Sequence, residues 1–263
     1  MQKQLDFQHY TTKANRTRNK VLARISYLRA IKDNLLKEEI HHDFARFLRD
    51  VKYYRAAEFR YKKASIIMKD AAVYNGWGLC LDRQGKIEGQ EELYRKALEI
   101  EPNCRYGLCN LGAVLSETCK FEEAIVVLER LLVLRPNEAM ALNNLGTIYL
   151  TLGKYDKTVE KLQKALEIDV SHLHAYINLG LANSCLGKDD EAKESYKRAI
   201  DLLGSNSDKK ERIVRSLKLT KENVLKEEES DQEKIKHQEI FRKVLEELIS
   251  ILEGENVDLE DEK

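Results

Sequence analysis

The sequence has few cysteines, few helix breakers and no long apolar run. Its five cysteines are an odd number without a C-x-x-C pair, which argues against a disulfide framework or a structural zinc site. Only 2 prolines and 12 glycines interrupt 263 residues. No stretch approaches the ~18–20 apolar residues of a membrane span, and the first twenty residues lack the apolar core of a secretory signal. These absences predict a helical, cytoplasmic protein with reduced thiols.

A net charge is also absent, because 45 Lys and Arg balance 45 Asp and Glu. The balance is uneven along the chain: residues 1–70 carry 17 cations against 8 acids (+9), residues 71–207 carry 16 against 20 (−4), and residues 208–263 carry 12 against 17 (−5). We interpret most of this uneven charge as the solvated faces of helices. The alternative is attachment of the basic N-terminal region to nucleic acid or an anionic surface.

Catalytic motifs are absent as well. The chain has no H-E-x-x-H, no G-x-S-x-G and no G-x-x-x-x-G-K-[ST]. His172 and His174 lie close together without a carboxylate or thiol at metal-ligand spacing, so we interpret them as loop histidines. The sequence therefore predicts no enzyme activity, no cofactor, no metal and no small-molecule substrate.

A fixed period is what the sequence does contain. Four glycines, Gly78, Gly112, Gly146 and Gly180, follow each other at steps of 34, and the two prolines, Pro102 and Pro136, are also 34 apart. A period of this length predicts a solenoid of repeated supersecondary units. The chain is 43% hydrophobic and 34% charged, as a long helical protein would be.

One unit, residues 139–172, shows the design most clearly. Leu142, Leu145, Gly146 and Tyr149 share one face of a first helix, and Gly153 breaks the chain before a second helix. This spacing resembles the tetratricopeptide repeat, whose signature is W-x2-L-G-x2-Y, then A-x3-F, then P. The frame recurs in three further units, although Gln90 and Thr158 replace the small alanine of the second helix and unit 38–70 lacks the first-helix glycine.

The resemblance implies an all-α, right-handed α-solenoid of about five helix-turn-helix units with flanking helices. We place a basic extension with a leading helix at 1–37, and the repeats at 38–70, 71–104, 105–138, 139–172 and 173–206. Capping and amphipathic helices follow at 207–252, and an acidic disordered tail at 253–263. The leading helix carries an apolar stripe that consists of Val21, Ile25, Leu28, Ile31 and Leu35.

Helical spacing also predicts which residues line a binding groove. Positions offset from the buried face are expected on the concave surface, and they are mostly uncharged. The predicted groove residues are Asn75, Tyr106, Asn110, Met140, Asn143, Asn144, Thr147, His174, Ile177, Asn178 and Leu181. Asn110, Asn144 and Asn178 recur at one position, and amides can hold an extended backbone or bond a neighbouring helix. The Lys/Arg clamp by which some family members bind acidic chaperone tails is missing.

The predicted function is a non-catalytic scaffold or adaptor that binds a partner peptide or helix in this groove. One alternative is a structural subunit of a cytoskeletal, motility or trafficking assembly that docks through its terminal helices. The last helix would either fold back on the repeats or present Phe241, Leu245, Leu248 and Leu252 as a seam for a partner helix or for self-association. Nucleic acid is the least favoured partner.

Overall fold

The computed structural model describes residues 20–32 and 37–204, and beyond them the single positions 214, 243, 246, 249 and 250. Within these residues every regular element is an α-helix. The eleven helices are α1 (Lys20–Lys32), α2 (Lys37–Asp50), α3 (Tyr54–Ile67), α4 (Ala71–Asp82), α5 (Gln90–Ile100), α6 (Arg105–Glu117), α7 (Phe121–Leu134), α8 (Ala139–Thr151), α9 (Tyr155–Ile168), α10 (Leu173–Cys185) and α11 (Asp189–Leu203). The predicted all-α class is confirmed.

The helices from α2 onwards form helix-turn-helix pairs, as an α-solenoid requires. We call the first member of each pair the A helix (α2, α4, α6, α8, α10) and the second the B helix (α3, α5, α7, α9, α11). The turn after α8 shows how a pair is closed. Gly153 has φ +67°, and the N–H of Lys154 donates to the carbonyl of Tyr149 over 2.8 Å. This is a Schellman ending, in which glycine adopts the left-handed conformation without a Cβ penalty.

The glycine inside the A helix allows the B helix to come close. A Cβ atom added to Gly146 would lie 2.5 Å from Cδ2 of Leu162, a distance that real Cβ atoms do not adopt. Leu162 is fully buried on α9, where it shares a face with Thr158 and Ala165 at helical spacing. The 34-residue glycine repeat therefore reports a packing requirement.

The chain divides into two compact units, unit 1 (residues 1–127) and unit 2 (residues 128–263), with the boundary inside α7. The core of unit 1 contains Ala23, Tyr27, Phe44, Ala45, Leu48, Ala57, Tyr61, Ala64, Val73 and Cys80. One core cluster of unit 2 contains Leu150, Tyr155, Ile177, Leu181, Ala182, Ala199, Leu203, Val214 and Ile249. Two residues from beyond the repeats therefore complete the core of unit 2.

The leading helix buries only part of its predicted apolar stripe, since Ile31 packs partly buried against the core of unit 1 and Leu35 lies outside the described residues. Val21, Ile25 and Leu28 are 66%, 38% and 42% exposed, whereas Ala23 and Tyr27 are buried. The reason is steric, because a small residue lets α1 approach the neighbouring helices closely and Tyr27 then stacks on Phe44 with ring centroids 4.9 Å apart.

The flanking segments fall largely outside the described residues. This holds for residues 1–19 of the N-terminal extension and for the acidic tail at 253–263. It also holds for the predicted seam residues Phe241, Leu245, Leu248 and Leu252. The division of the chain into five units, a cap and a tail stays a prediction.

Candidate functional site

The A helices carry the residues predicted to bind a partner, and in unit 1 two of these residues contact each other. Asn75 lies on α4 and Asn110 on α6, both half-buried. The Asn110 side-chain N–H donates to the Asn75 side-chain oxygen over 2.8 Å. This bond ties one A helix to the next, and it leaves Asn110 its carbonyl oxygen and a second N–H.

Unit 2 has a related bridge with a different acceptor. The Asn178 side-chain N–H on α10 donates to the Thr147 hydroxyl on α8 over 3.0 Å. The Thr147 hydroxyl in turn donates to the backbone carbonyl of Asn143 over 3.0 Å, so that its lone pairs remain for Asn178. Two members of the predicted asparagine series, Asn110 and Asn178, therefore each bond a neighbouring A helix.

Asn143 is a correction to the predicted open groove. Only 9% of the residue is exposed, because α8 packs against both α9 and α10. Its side-chain oxygen is buried and accepts no hydrogen bond from any described residue.

Ile177 and Leu181 are a second correction. Both were predicted on an exposed surface, yet they are only 3% and 2% exposed. They belong to the buried cluster that also contains Val214 and Ile249, so residues from beyond the repeats supply their cover. Burial of two large aliphatic side chains is favourable by roughly 1.5–3 kcal/mol each, which explains why they do not remain open.

Other predicted residues are accessible. Tyr106 on α6 is 58% exposed and Met140 on α8 is 49% exposed. His174 at the start of α10 is exposed, and Asn144 is half-buried one turn after Met140. In unit 2 the residues Met140, Asn144, His174 and Asn178 form pairs at i, i+4 spacing on two adjacent A helices, and we call this surface the unit 2 A-helix face.

Within the predicted last helix, the structure describes Lys243, Glu246, Ile249 and Ser250. Ile249 is buried at 6% exposure, and Lys243 and Glu246 are exposed. Burial of Ile249 in the cluster of the last repeat favours the fold-back alternative over a projecting seam.

Unit 1 contains a cavity that the sequence did not suggest. It has a volume of about 630 Å³, and Trp77, Leu81, Ile87 and Leu93 supply its apolar lining. In this repeat α5 begins only at Gln90, after Gly89 at φ +82°, whereas α7 and α9 begin with an aromatic residue directly after the turn. Ile87, which stands 34 residues before the first residue of α7, is 48% exposed. The glycine beside Gln90 was the available signal.

Electrostatics beside the cavity fix the turn that follows α4. Glu58 on α3 accepts hydrogen bonds from Gln84 over 2.8 Å and from Lys86 over 3.0 Å. Burial alone would raise the pKa of Glu58, but the two hydrogen bonds and the lysine charge outweigh it and lower the pKa. The contacts hold the turn in place and arrange no group for catalysis.

Chemical sites of other kinds are missing from the part of the chain that the structure describes. No group of three or more His, Cys, Asp or Glu could hold a metal ion there. The described helices also include none that is long and apolar enough to cross a membrane. All five cysteines are free thiols, and burial raises the pKa of Cys80 to about 12 and that of Cys185 to about 11. Such thiols are poor nucleophiles at neutral pH.

Solved structures resemble the chain over roughly two thirds of its length. The crystal structure of MamA protein is 24% identical, with a TM-score of 0.55, and covers 64% of this chain and 92% of its own. A MamA fragment from Desulfovibrio magneticus RS-1 is 22% identical with a TM-score of 0.57 and covers 64% and 95%. YrrB, described as a TPR protein with an unusual peptide-binding site, is 24% identical with a TM-score of 0.54 and covers 67% and 91%. At these identities the likeness shows the fold.

Sequence families agree with the structures. Residues 71–104 and residues 137–205 each match a family described as tetratricopeptide repeat. None of the curated proteins matches the chain. The matched segments are the helix pairs α4 with α5, α8 with α9 and α10 with α11. The chain therefore contains tetratricopeptide repeats over residues 71–104 and 137–205.

Proposed function

We propose that this protein is a non-catalytic scaffold that binds a segment of a partner protein on the unit 2 A-helix face. The observation that carries the proposal is the juxtaposition of exposed Met140 and His174 with the side-chain amides of Asn144 and Asn178. An apolar anchor beside amides suits a polypeptide, because the amides can bond its backbone and the methionine can take an apolar side chain.

The relative YrrB is named for a peptide-binding site, which makes a peptide a reasonable ligand for this fold. One fold serves many functions, however, so the residues of this chain must carry the argument.

The experiment uses peptides displayed on phage and selected for binding to the full chain. Selected peptides are then measured against Met140→Lys and against a control, Val133→Lys, which places the same charge on a B helix at an 82% exposed position. The expected result is at least about tenfold weaker binding by Met140→Lys, since an apolar contact worth roughly 1.5–3 kcal/mol is lost, and unchanged binding by the control. Equal affinities for the two variants would refute the assignment of this face.

We also propose a reducing, cytoplasmic setting, because every cysteine of the chain is a free thiol in the structure. When the source cells are lysed in denaturant with an alkylating agent, so that the buried thiols react as well, the protein should carry five alkyl groups. Recovery of a disulfide-linked form under the same trapping would contradict this setting.

A further inference from the structure

The first helix keeps an apolar side in solvent. Val21, Ile25 and Leu28 lie at i, i+4 and i+7 on α1 and are 66%, 38% and 42% exposed. The same helix carries four cations and no acid. An exposed apolar stripe among cations is complementary to a partner that has both acidic and apolar groups.

The outer side of α3 continues this character. Arg55, Phe59, Lys62, Lys63 and Ile66 are exposed at helical spacing, with Phe59 at 54% and Ile66 at 73%. The Lys63 ammonium lies over the Phe59 ring, 5.7 Å from its centroid. The one acid of α3, Glu58, is already bonded to Lys86. In total α1 and α3 contribute 4 and 4 cations against 0 and 1 acids, a balance of +7.

The core of unit 1 brings α1 and α3 together, because Ala23 of α1 and Ala57 of α3 share one buried cluster. Arg60 of α3 lies above the ring of Phe44, which belongs to α2, with its Cζ 5.1 Å from the centroid. Burial, together with the neighbouring Arg24 charge, lowers the pKa of Arg60. Among the described residues Arg24, Arg60 and Lys63 make no ion pair with a carboxylate. We call a set of exposed side chains on α1 and α3 the basic face; it consists of Val21, Arg24, Ile25, Leu28, Arg55, Phe59, Lys62, Lys63 and Ile66.

The composition of the basic face decides between kinds of partner. A nucleic acid backbone would neutralise the cations but would leave Val21, Leu28 and Ile66 without apolar contacts. An acidic polypeptide with interleaved aliphatic residues would satisfy both. The chain itself contains such a segment: residues 253–263, EGENVDLEDEK, hold 6 acids and 1 lysine, a balance of −5, with Val257 and Leu259 among the acids.

We propose that the basic face binds the acidic tail, residues 253–263, of a second copy of this chain. The contact is heterologous, because the face belongs to one copy and the tail to the other. The first copy still has its tail, and the second copy still has its basic face, for a further contact. Self-association is therefore concentration-dependent. Since exposed charges dominate it, salt weakens it strongly. The proposal does not depend on the unit 2 A-helix face.

The test is sedimentation velocity of the full chain over a concentration series. It is run at about 0.01 M ionic strength, where the Debye length is ~30 Å, and at about 1 M, where it is ~3 Å. A face variant carries Arg24→Glu, Arg55→Glu and Lys63→Glu, and a tail variant carries Asp258→Asn, Glu260→Gln, Asp261→Asn and Glu262→Gln. A control variant carries Lys157→Glu, Lys193→Glu and Lys197→Glu, three exposed positions on the B helices of unit 2.

Association of the wild type at low salt is expected, with loss at high salt and at least about tenfold weakening in the face and tail variants, because several charge attractions are removed or reversed. The control variant should associate like the wild type. The decisive mixture combines the face variant with the tail variant: one intact tail and one intact face remain, so a mixed dimer should form although neither variant associates alone.

Other outcomes overturn the proposal. A wild type that stays monomeric at low salt excludes a second copy as the occupant. Association that persists in the tail variant excludes the tail. A last outcome would assign the basic face to a polyanion instead. In that case wild type and tail variant associate equally, and the wild type binds a labelled single-stranded oligonucleotide or vesicles with anionic lipid, whereas the face variant does not.

Discussion

Gly146 and Leu162 offer a prediction whose sign depends on a single contact. Gly146→Ala places a Cβ 2.5 Å from Cδ2 of Leu162, which is fully buried. Such overpacking costs about 1–3 kcal/mol, and the higher helix propensity of alanine offsets about 1 kcal/mol of it. We therefore expect Gly146→Ala to lower the free energy of unfolding by up to roughly 2 kcal/mol.

The same substitution should have the opposite effect once the leucine is removed. Leu162→Ala alone costs about 2–5 kcal/mol, because it leaves a cavity against α8. In that background the new methyl group meets empty space, so Gly146→Ala should stabilise by about 1 kcal/mol through helix propensity. The double-mutant cycle then gives a coupling free energy of roughly 1–3 kcal/mol, which equals the cost of overpacking.

Equilibrium unfolding in urea, followed by circular dichroism at 222 nm, measures all four proteins. The far-ultraviolet spectra of the folded variants serve as the control for retained helix content. If Gly146→Ala changes the stability equally in both backgrounds, close approach of the A and B helices is not what the glycine provides, and the account of the 34-residue period is wrong.

Three further perturbations test other parts of the structure. Cys119 occupies a turn position at φ +59°, where the preceding and following repeats have glycine, so Cys119→Gly should raise the free energy of unfolding by about 0.5–1 kcal/mol in the same urea assay. Glu58 has a lowered pKa, so the stability it gains from Gln84 and Lys86 is present above its unfolded pKa of about 4.3 and is lost as the pH falls through the folded value. Wild type should therefore exceed Glu58→Gln in melting temperature at pH 7, and the difference should shrink as the pH falls below about 4.3 and through the folded pKa. A constant difference would contradict the lowered pKa. Brief iodoacetamide treatment should modify exposed Cys119 and spare buried Cys80, as read by peptide mass spectrometry, and rapid labelling of Cys80 in the folded protein would argue against the core of unit 1.

The sequence predicted the helical class because its strongest signals are local. Gly146 is fixed by its contact with Leu162, and Gly153 by a positive φ, so both positions repeat with the unit. The leading helix was less predictable. Its buried side includes Ala23, a small residue that adds little to an apolar stripe yet permits close packing. Val21, Ile25 and Leu28 of the predicted stripe lie in solvent.

The candidate site was predicted only in part, for a related reason. Helical spacing indicates which residues share a face, and it does not indicate what covers that face. Ile177 and Leu181 are covered in a cluster with Val214 and Ile249, which lie more than thirty residues further along the chain. The bridge from Asn178 to Thr147 depends on the distance between two A helices, and no pattern within one helix contains that distance.

Hydrogen–deuterium exchange on the full chain, with and without a phage-selected peptide, tests the central claim most directly. If the protein binds a partner segment on the unit 2 A-helix face, exchange should slow in α8 and α10, where Met140 and Asn178 lie, and remain unchanged in the B helix α11. Protection confined to α1 and α3, or to B helices, would show that a different surface binds the ligand and would contradict the account.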